Sequence, residues 1–453
     1  MLKEYIASIK DKKVSVIGIG VSNQPLIRLL AQNGVQVTAH DKKLREQMGD
    51  LAAELEGMGV RLVLGPDYLS GIDGDIVFRT PGLHPDVPAL REAVARGAEL
   101  TSEMEVFLSL CPATVIAITG SDGKTTTTTV ISELLKAQGY RVFVGGNIGN
   151  PLLDRTDEMG KEDFVVLELS SFQLLTMKQS PHVAVITNLA PNHLDVHKDM
   201  DEYVAAKENI FLYQKKGDIL VTNLDNDLTV QSARKAPAQV RYFSRRDVAY
   251  ASCTLGAAIN VCGQNVMDAS DIKIPGVHNI ENYLAAFAAT ADYVDPDVMQ
   301  KVAMTFGGVE HRLELVRELD GVKYYNDSIA SSPSRTIAGL RAYDKKVILI
   351  AGGYDKHIPF DVLGPEVCRH VKRLYLTGAT ARKIYDAVVN CPDYAEGGPE
   401  IIVMDDFTET VHAAAASAKE GDVVLLSPAC AAFDKFKNFM VRGKFFKKLV
   451  QEL

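Results

Sequence analysis

The chain has 453 residues, more than one hydrophobic core usually serves, so two to four domains are expected and three is the natural reading. Hydrophobic residues make up 47% and charged residues 24%, which excludes a disordered or collagenous chain. A net charge of −9 with no basic cluster excludes general affinity for nucleic-acid backbones. No apolar run reaches the roughly 18 residues of a membrane span, "MLKEYIASIKDKKVSVIGIG" lacks a signal-peptide h-region before a cleavage site, and the cysteines form no C-x-x-C pair. A cytoplasmic protein acting on small molecules is expected, with no nucleic-acid or membrane partner and no zinc or disulfide framework.

Short apolar runs such as "KVSVIGIG", "DIVFRTPG", "ATVIAITG", "FVVLELSS", "VAVITNLA", "KVILIAGG" and "GDVVLLSPA" alternate with helical patterns. Strands apolar on both faces and followed by helices predict an α/β protein with parallel sheets. Three groups separate at 1–102, 103–308 and 309–453. The first is Rossmann-like in outline: Gly18 and Gly20 match the first two fingerprint glycines, and Asn23 stands where the third is expected. That departure disfavours a dinucleotide and leaves open a site for another nucleotide or its diphosphate at the Gly loop and Asp41.

The second group opens with "AITGSDGKTTTTTVISELL", residues 117–135. A P-loop has four residues between its glycines; here Gly120 and Gly123 are too close for that spacing. A strand, a turn of Gly120, Ser121, Asp122 and Gly123, and a helix still make a phosphate site, with Lys124 reaching the terminal phosphates and Thr125 placed to ligate Mg²⁺. Glu168 ends the next apolar strand, where a lone carboxylate suits a metal or caps a loop. "VITNLAPNHLDVHKDMDEYVAAKENIF" ends a further strand in a loop with His193, Asp195 and His197 and continues into a helix carrying Lys207. Each is unremarkable alone; their joint position at the carboxyl end of a strand, in the same presumed sheet as the loop and Glu168, raises a functional reading. The stretch 241–275 reads as an antiparallel patch before a helix starting near Asn279, whose Asn279 and Asn282 either read a base edge or cap the helix. In the third group Arg312, Asn326, Asp327, Ser331 and Lys356 sit in loops suited to anions.

"TGSDGKTT", "LELSSFQL", "NHLDVH", "AAKENIF", "HNIEN", "EHRLE", "NDSIASS" and "SPACAAFDKFKNFMVRG" occur in the order and spacing of the Mur ligases, which this chain resembles over essentially its whole length. The resemblance, nearest to the D-glutamate-adding branch, implies three domains: a Rossmann-like domain for a UDP-linked substrate, a central P-loop-type ATPase domain with a parallel sheet, and a Rossmann-like domain for the amino acid. The shortened loop is a mark of that superfamily. The implied reaction joins D-glutamate to UDP-N-acetylmuramoyl-L-alanine through an acyl phosphate made from ATP, in peptidoglycan precursor synthesis, by a monomer. Implied roles follow by position. Gly120, Ser121, Asp122, Gly123, Lys124, Thr125, Thr126, Asn279, Asn282, Arg312 and Asp327 would bind ATP; Lys124, Glu168, His193 and Lys207 would be catalytic. Two Mg²⁺ would be held by Thr125, Glu168, His193 and Lys207, the last carbamylated. Ser22, Asp41, Gly82 and Asn147 would contact the UDP-substrate, and Ser331, Lys356, Phe433 and Phe439 D-glutamate. Ile329 and Ala432 replace a Lys and a Ser common in the family. The alternatives are another ligase of the superfamily and a non-catalytic nucleotide switch or regulatory ATPase.

Overall fold

The computed structural model describes residues 1–191, 197–253, 258–356, 358–394 and 397–453. Among these, the chain forms three sheets. The first contains β1 (Lys13–Ile17), β2 (Gln36–Asp41), β3 (Arg61–Leu64), β4 (Ile76–Arg79) and β5 (Glu99–Thr101), all parallel, in the order β3-β2-β1-β4-β5. The second contains β6 (Thr114–Thr119), β7 (Val142–Gly146), β8 (Phe164–Glu168), β9 (Val183–Ile186), β10 (Ile219–Asn223), β11 (Gln239–Ser244), β12 (Ala251–Ser252), β13 (Ala258–Val261) and β14 (Gln264–Asp268). Their order is β14-β13-β12-β11-β10-β9-β6-β8-β7. The third contains β15 (Glu314–Leu319), β16 (Val322–Asn326), β17 (Val347–Ala351), β18 (Val371–Leu376), β19 (Glu400–Val403) and β20 (Val423–Leu426), ordered β15-β16-β20-β17-β18-β19.

Apolar runs become central strands because both faces are covered. Ile116, Ala117 and Ile118 of β6 and Val165, Val166 and Leu167 of β8 are all fully buried. The strands not evident from such runs, among them β3, β5 and β19, are shorter and more exposed edge or near-edge elements. The expected antiparallel patch is narrower than the sequence suggested. β11 runs parallel to β10, and β12 parallel to β11; only β12–β13 and β13–β14 pair antiparallel. Tyr242 and Phe243 thus extend the parallel sheet, which alternation in a short segment cannot distinguish from a hairpin.

The chain divides into two compact units, one of residues 1–271 and 280–304, the other of 272–279 and 305–453. The first two sheets lie in one unit and share a continuous core that includes Ile27, Leu30, Phe107, Leu153, Leu167 and Phe211. In the second unit apolar clusters lie on both faces of the third sheet, one around Leu349 and Leu374, the other around Ile350 and Phe446.

Strand order decides where loops gather. From β8 the chain crosses β6 to form β9, so loops leaving the carboxyl ends of these parallel neighbours gather on one side of the sheet. The first sheet reverses at β1 and β4, and the third inserts β20 between β16 and β17. Such switch points leave crevices at the carboxyl ends of parallel strands, where ligands bind.

Candidate active site

The turn after β6 leads into a helix at Lys124–Gln138, with Gly123 as its N-cap. The first N–H groups of this helix have no intrahelical acceptor, which makes its start an anion site. Two glycines permit the turn. Gly120 and Gly123 have φ of 145° and 79°, and a Cβ would overlap Thr187 Oγ1 at the first and Asn282 Oδ1 at the second. The loop is fixed from the end of β9: Asn188 Oδ1 accepts from the Asp122 N–H at 3.0 Å, and the Thr187 hydroxyl donates to the Asp122 carbonyl at 2.6 Å. Ser121 Oγ lies 2.9 Å from Tyr203 Oη and accepts from the Ala190 N–H. Thr126 is buried on the first turn of the helix.

Two lysines converge on this turn. Lys124 Nζ donates to the carbonyls of Gly120 and Ser121 at 2.9 and 3.0 Å. Lys207 Nζ, from the helix Met200–Leu212, donates to the same Gly120 carbonyl at 2.9 Å and to Thr119 Oγ1 at 3.2 Å, 4.8 Å from the centre of the Tyr203 ring. Burial, and then the Lys124 charge, hold Lys207 well below the usual lysine range, against the pull of Glu168 and Asp122.

Glu168, 2% exposed at the end of β8, accepts from Asn147 Nδ2 at 2.8 Å through Oε1, while its carbonyl accepts from the Asn147 N–H. Its other oxygen, Oε2, is buried with no hydrogen-bond partner among the described residues. A buried carboxylate oxygen without a donor is costly, and a hard cation satisfies it. Lys124, Glu168 and Lys207 therefore meet at one sheet edge. Asn147, expected against the UDP-substrate, orients Glu168. His193 and Asp195 lie outside the described residues.

The residues expected at the first sheet occupy its switch point. Ser22 immediately precedes the helix Asn23–Gln32, Gly82 is exposed in the loop after β4, and Asp41 ends β2. The Asp41 carboxylate accepts from the N–H groups of Ile19 and Lys43, at 2.7 and 2.9 Å, so it shapes the glycine loop. Asn23, where a dinucleotide fingerprint has glycine, is buried and donates to the carbonyls of Ile17 and Gly18. Its side chain closes the loop from within.

In the second unit, Asp327 and Ser331 follow the carboxyl end of β16, Lys356 follows that of β17, and Arg312 precedes β15. Asp327 is buried; Ser427 Oγ donates to it at 2.7 Å, and burial pushes its carboxyl up to about 7. Phe433 is 60% exposed with Tyr354 edge-on, whereas Phe439 opens the last helix, edge-on to His311. Lys356 is exposed and Ser331 half-buried. Asn279 donates to the Pro275 carbonyl at 2.5 Å. Asn282, in the first unit, accepts from the Thr127 hydroxyl at 3.3 Å, which ties it to the phosphate-loop helix.

Residues 118–290 match the Mur ligase middle domain, and residues 311–430 the Mur ligase glutamate ligase domain. The chain is 52% identical to the UDP-N-acetylmuramoylalanine--D-glutamate ligase of Clostridium novyi, across 99% of both chains. It is 53% identical to the enzyme of that name from Ruminiclostridium cellulolyticum, across 100% of this chain and 99% of that one. The chain belongs to the Mur ligase family. A crystal structure of the UDP-N-acetylmuramate-alanine ligase of Thermotoga maritima shares the fold, with TM-score 0.60 and 19% identity over 97% of this chain and 99% of that one. A Mur ligase is an enzyme, so the non-catalytic switch falls away. This Mur ligase carries Lys124, Glu168 and Lys207 within the middle-domain match and Arg312, Asp327, Ser331 and Lys356 within the glutamate-ligase match, whereas Phe433 and Phe439 lie beyond it. Ala432 is buried and Ile329 half-buried, so the two departures remove polar groups from the loops after β20 and β16. Thr119, Thr187, Asn188 and Tyr203 also contact Lys207 or the turn 120–123, and no motif in the sequence marks them. The place of Thr187 and Asn188 at a strand end was the available signal.

Proposed function

We propose that this Mur ligase is an ATP-dependent amide ligase that adds D-glutamate to UDP-N-acetylmuramoyl-L-alanine in the cytoplasm, as a monomer. The observation that carries the reading is the 52% to 53% identity, along essentially the whole chain, with ligases named for that reaction. A carboxylate does not condense with an amine unaided, because oxide is a poor leaving group. Transfer of the ATP γ-phosphoryl group to the carboxylate releases ADP and makes an acyl phosphate. The amine of D-glutamate, having lost its proton, attacks the acyl carbon, and the tetrahedral intermediate expels phosphate to leave the amide.

The loop 120–123 and the helix start would cradle ATP phosphates, and Lys124 would leave its backbone carbonyls for the transferring phosphoryl group, offsetting its charge. Mg²⁺, when bound, neutralises charge on the phosphate oxygens; Thr125, Glu168, His193 and Lys207 would hold two ions. The unpartnered Glu168 Oε2 supports this. Lysine suits such a site only once its charge is removed. The neutral Lys207 amine, adding CO₂ with loss of a proton, would become a carbamate and supply oxygen ligands. Asn279, Asn282, Arg312 and Asp327 would bind the rest of ATP; Ser22, Asp41, Gly82 and Asn147 the UDP-substrate; Ser331, Lys356, Phe433 and Phe439 D-glutamate. Domain boundaries at 102 and 308 complete the reading.

Phosphate release measured with ATP, Mg²⁺ and UDP-N-acetylmuramoyl-L-alanine should require D-glutamate. Release with L-alanine or a diamino acid in its place, and none with D-glutamate, would overturn the reading.

A further inference from the structure

The loop after β4 carries Gly82 at an exposed tip, yet its base is held by one side chain that no part of the reaction above uses. Arg79, the last residue of β4, is 1% exposed. Its Nη1 donates to three carbonyls of the loop, those of Thr80, Pro81 and Leu83, at 3.2, 3.1 and 2.6 Å. Its Nη2 reaches a different segment, donating to the Phe172 carbonyl at 2.9 Å and to Thr176 Oγ1 at 3.3 Å. Phe172 lies in the short helix Ser171–Leu174, which follows Glu168. Burying a guanidinium is costly unless its donors are met; here two segments meet those of Nη1 and Nη2, while Nε is buried without a partner among the described residues. Glu105, near Thr176 and hydrogen-bonded by Ser102 Oγ at 2.8 Å, offsets the charge.

We propose that Arg79 is a positioning residue for the UDP-linked substrate: it holds the loop 80–83 in register with the helix after Glu168, so that Gly82 meets the substrate at a fixed place relative to the metal-binding carboxylate. The proposal rests on the ligase reading above. The shape of the contact accounts for the residue type. A planar fork spans two segments at a set angle, which the single ammonium of lysine does less well. At Gly82 itself, chain neighbours aside, no atom of the described residues lies within 4 Å of where a Cβ would stand, so the tip is open while the base is fixed. On its outer side the same stretch is tied by Lys198, paired with Asp86, and by His84, 3.5 Å from Glu202. Loss of Arg79 would thus loosen the loop without detaching it.

The test uses the full chain with Arg79→Met, Arg79→Lys and Thr176→Val. Calorimetric binding of UDP-N-acetylmuramoyl-L-alanine is measured alongside the KM of each substrate and thermal unfolding. Arg79→Met should weaken UDP-substrate binding about tenfold or more, with KM for ATP and D-glutamate within about twofold of wild type. Arg79→Lys should recover part of the loss, and Thr176→Val should lose about threefold. Should Arg79→Met fail to fold, the two milder variants decide. Unchanged UDP-substrate binding in folded variants, or an equal rise in all three KM values, would overturn the role. A wild-type protein that binds the UDP-substrate but releases no phosphate with D-glutamate defeats the ligase reading and leaves the Arg79 comparison intact; one that does not bind it defeats both.

Discussion

At the scale of single residues, two lysines are placed at one carbonyl, and the proposed chemistry gives them opposite tasks. Both Lys124 and Lys207 donate to the Gly120 carbonyl, yet Lys124 is half-buried and Lys207 2% exposed. Burial and the neighbouring charge disfavour the ammonium form of Lys207, and only a neutral amine adds CO₂. Activity should therefore fall in CO₂-depleted buffer and return with bicarbonate, and a carbamate carbon should appear by NMR with ¹³C-labelled bicarbonate. Lys207→Ala should lose about 100-fold or more in kcat and regain part of it with added short carboxylates, as removal of an electrostatic group at a reacting phosphate does. Activity indifferent to both CO₂ and the Lys207→Ala change would assign Lys207 a purely structural role. Lysine in a helix was legible in "AAKENIF", but its burial beneath the turn was not, because burial depends on strands β6 and β9 lying beside that helix.

At the scale of elements, the turn between β6 and its helix works because neighbouring elements close on it. Asn282 comes from a helix that begins at Val277, more than 150 residues along the chain, and its Oδ1 occupies the space a Cβ at Gly123 would need. Gly123→Ala must meet both that overlap and the cost of a positive φ, together about 1 kcal/mol or more. The expected outcome is a KM for ATP raised about tenfold in a protein whose affinity for the UDP-substrate is unchanged. Unaltered ATP kinetics would mean that the turn tolerates a side chain and that Asn282 yields. The glycines themselves were readable as turn residues, whereas the partner that makes Gly123 obligatory was not. Likewise Asn23 disfavoured a dinucleotide from its position alone, and only the fold shows its amide holding the loop.

At the scale of the whole molecule, the first two sheets share a core, and a buried carboxylate lies in their unit. Glu103, on the first turn of the helix Glu103–Leu110, is 5% exposed and accepts from the Leu153 N–H at 3.2 Å. Burial pushes its carboxyl up to about 7, from an ordinary value of 4.5. The native state thus holds this proton more tightly than the unfolded chain. Stability is fully present below about pH 4.5 and is lost as pH rises toward 7. Glu103→Gln should accordingly be more stable than wild type near pH 8, by up to about 3 kcal/mol, and equal to it near pH 4.5. Denaturant unfolding at the two pH values checks this; equal stability at both would show that the carboxylate is ionised without cost in the fold.

The sequence alone determined the α/β class, the parallel strands and the glycine turn before the helix, because apolar runs and glycines are local properties, and its motifs carried the resemblance to the Mur ligases. It also placed Glu168 at a strand end, where a cation is useful. Tertiary structure decided which of these residues meet: the crossing from β8 over β6 to β9 brings Lys124, Glu168 and Lys207 to one edge. It also gave Asn147 the task of orienting Glu168, extended the parallel sheet through β11 and buried Arg79 between two segments. These outcomes depend on strand order and on neighbours distant in the chain, since hydrogen-bond partners and desolvation arise only when separated segments are packed together.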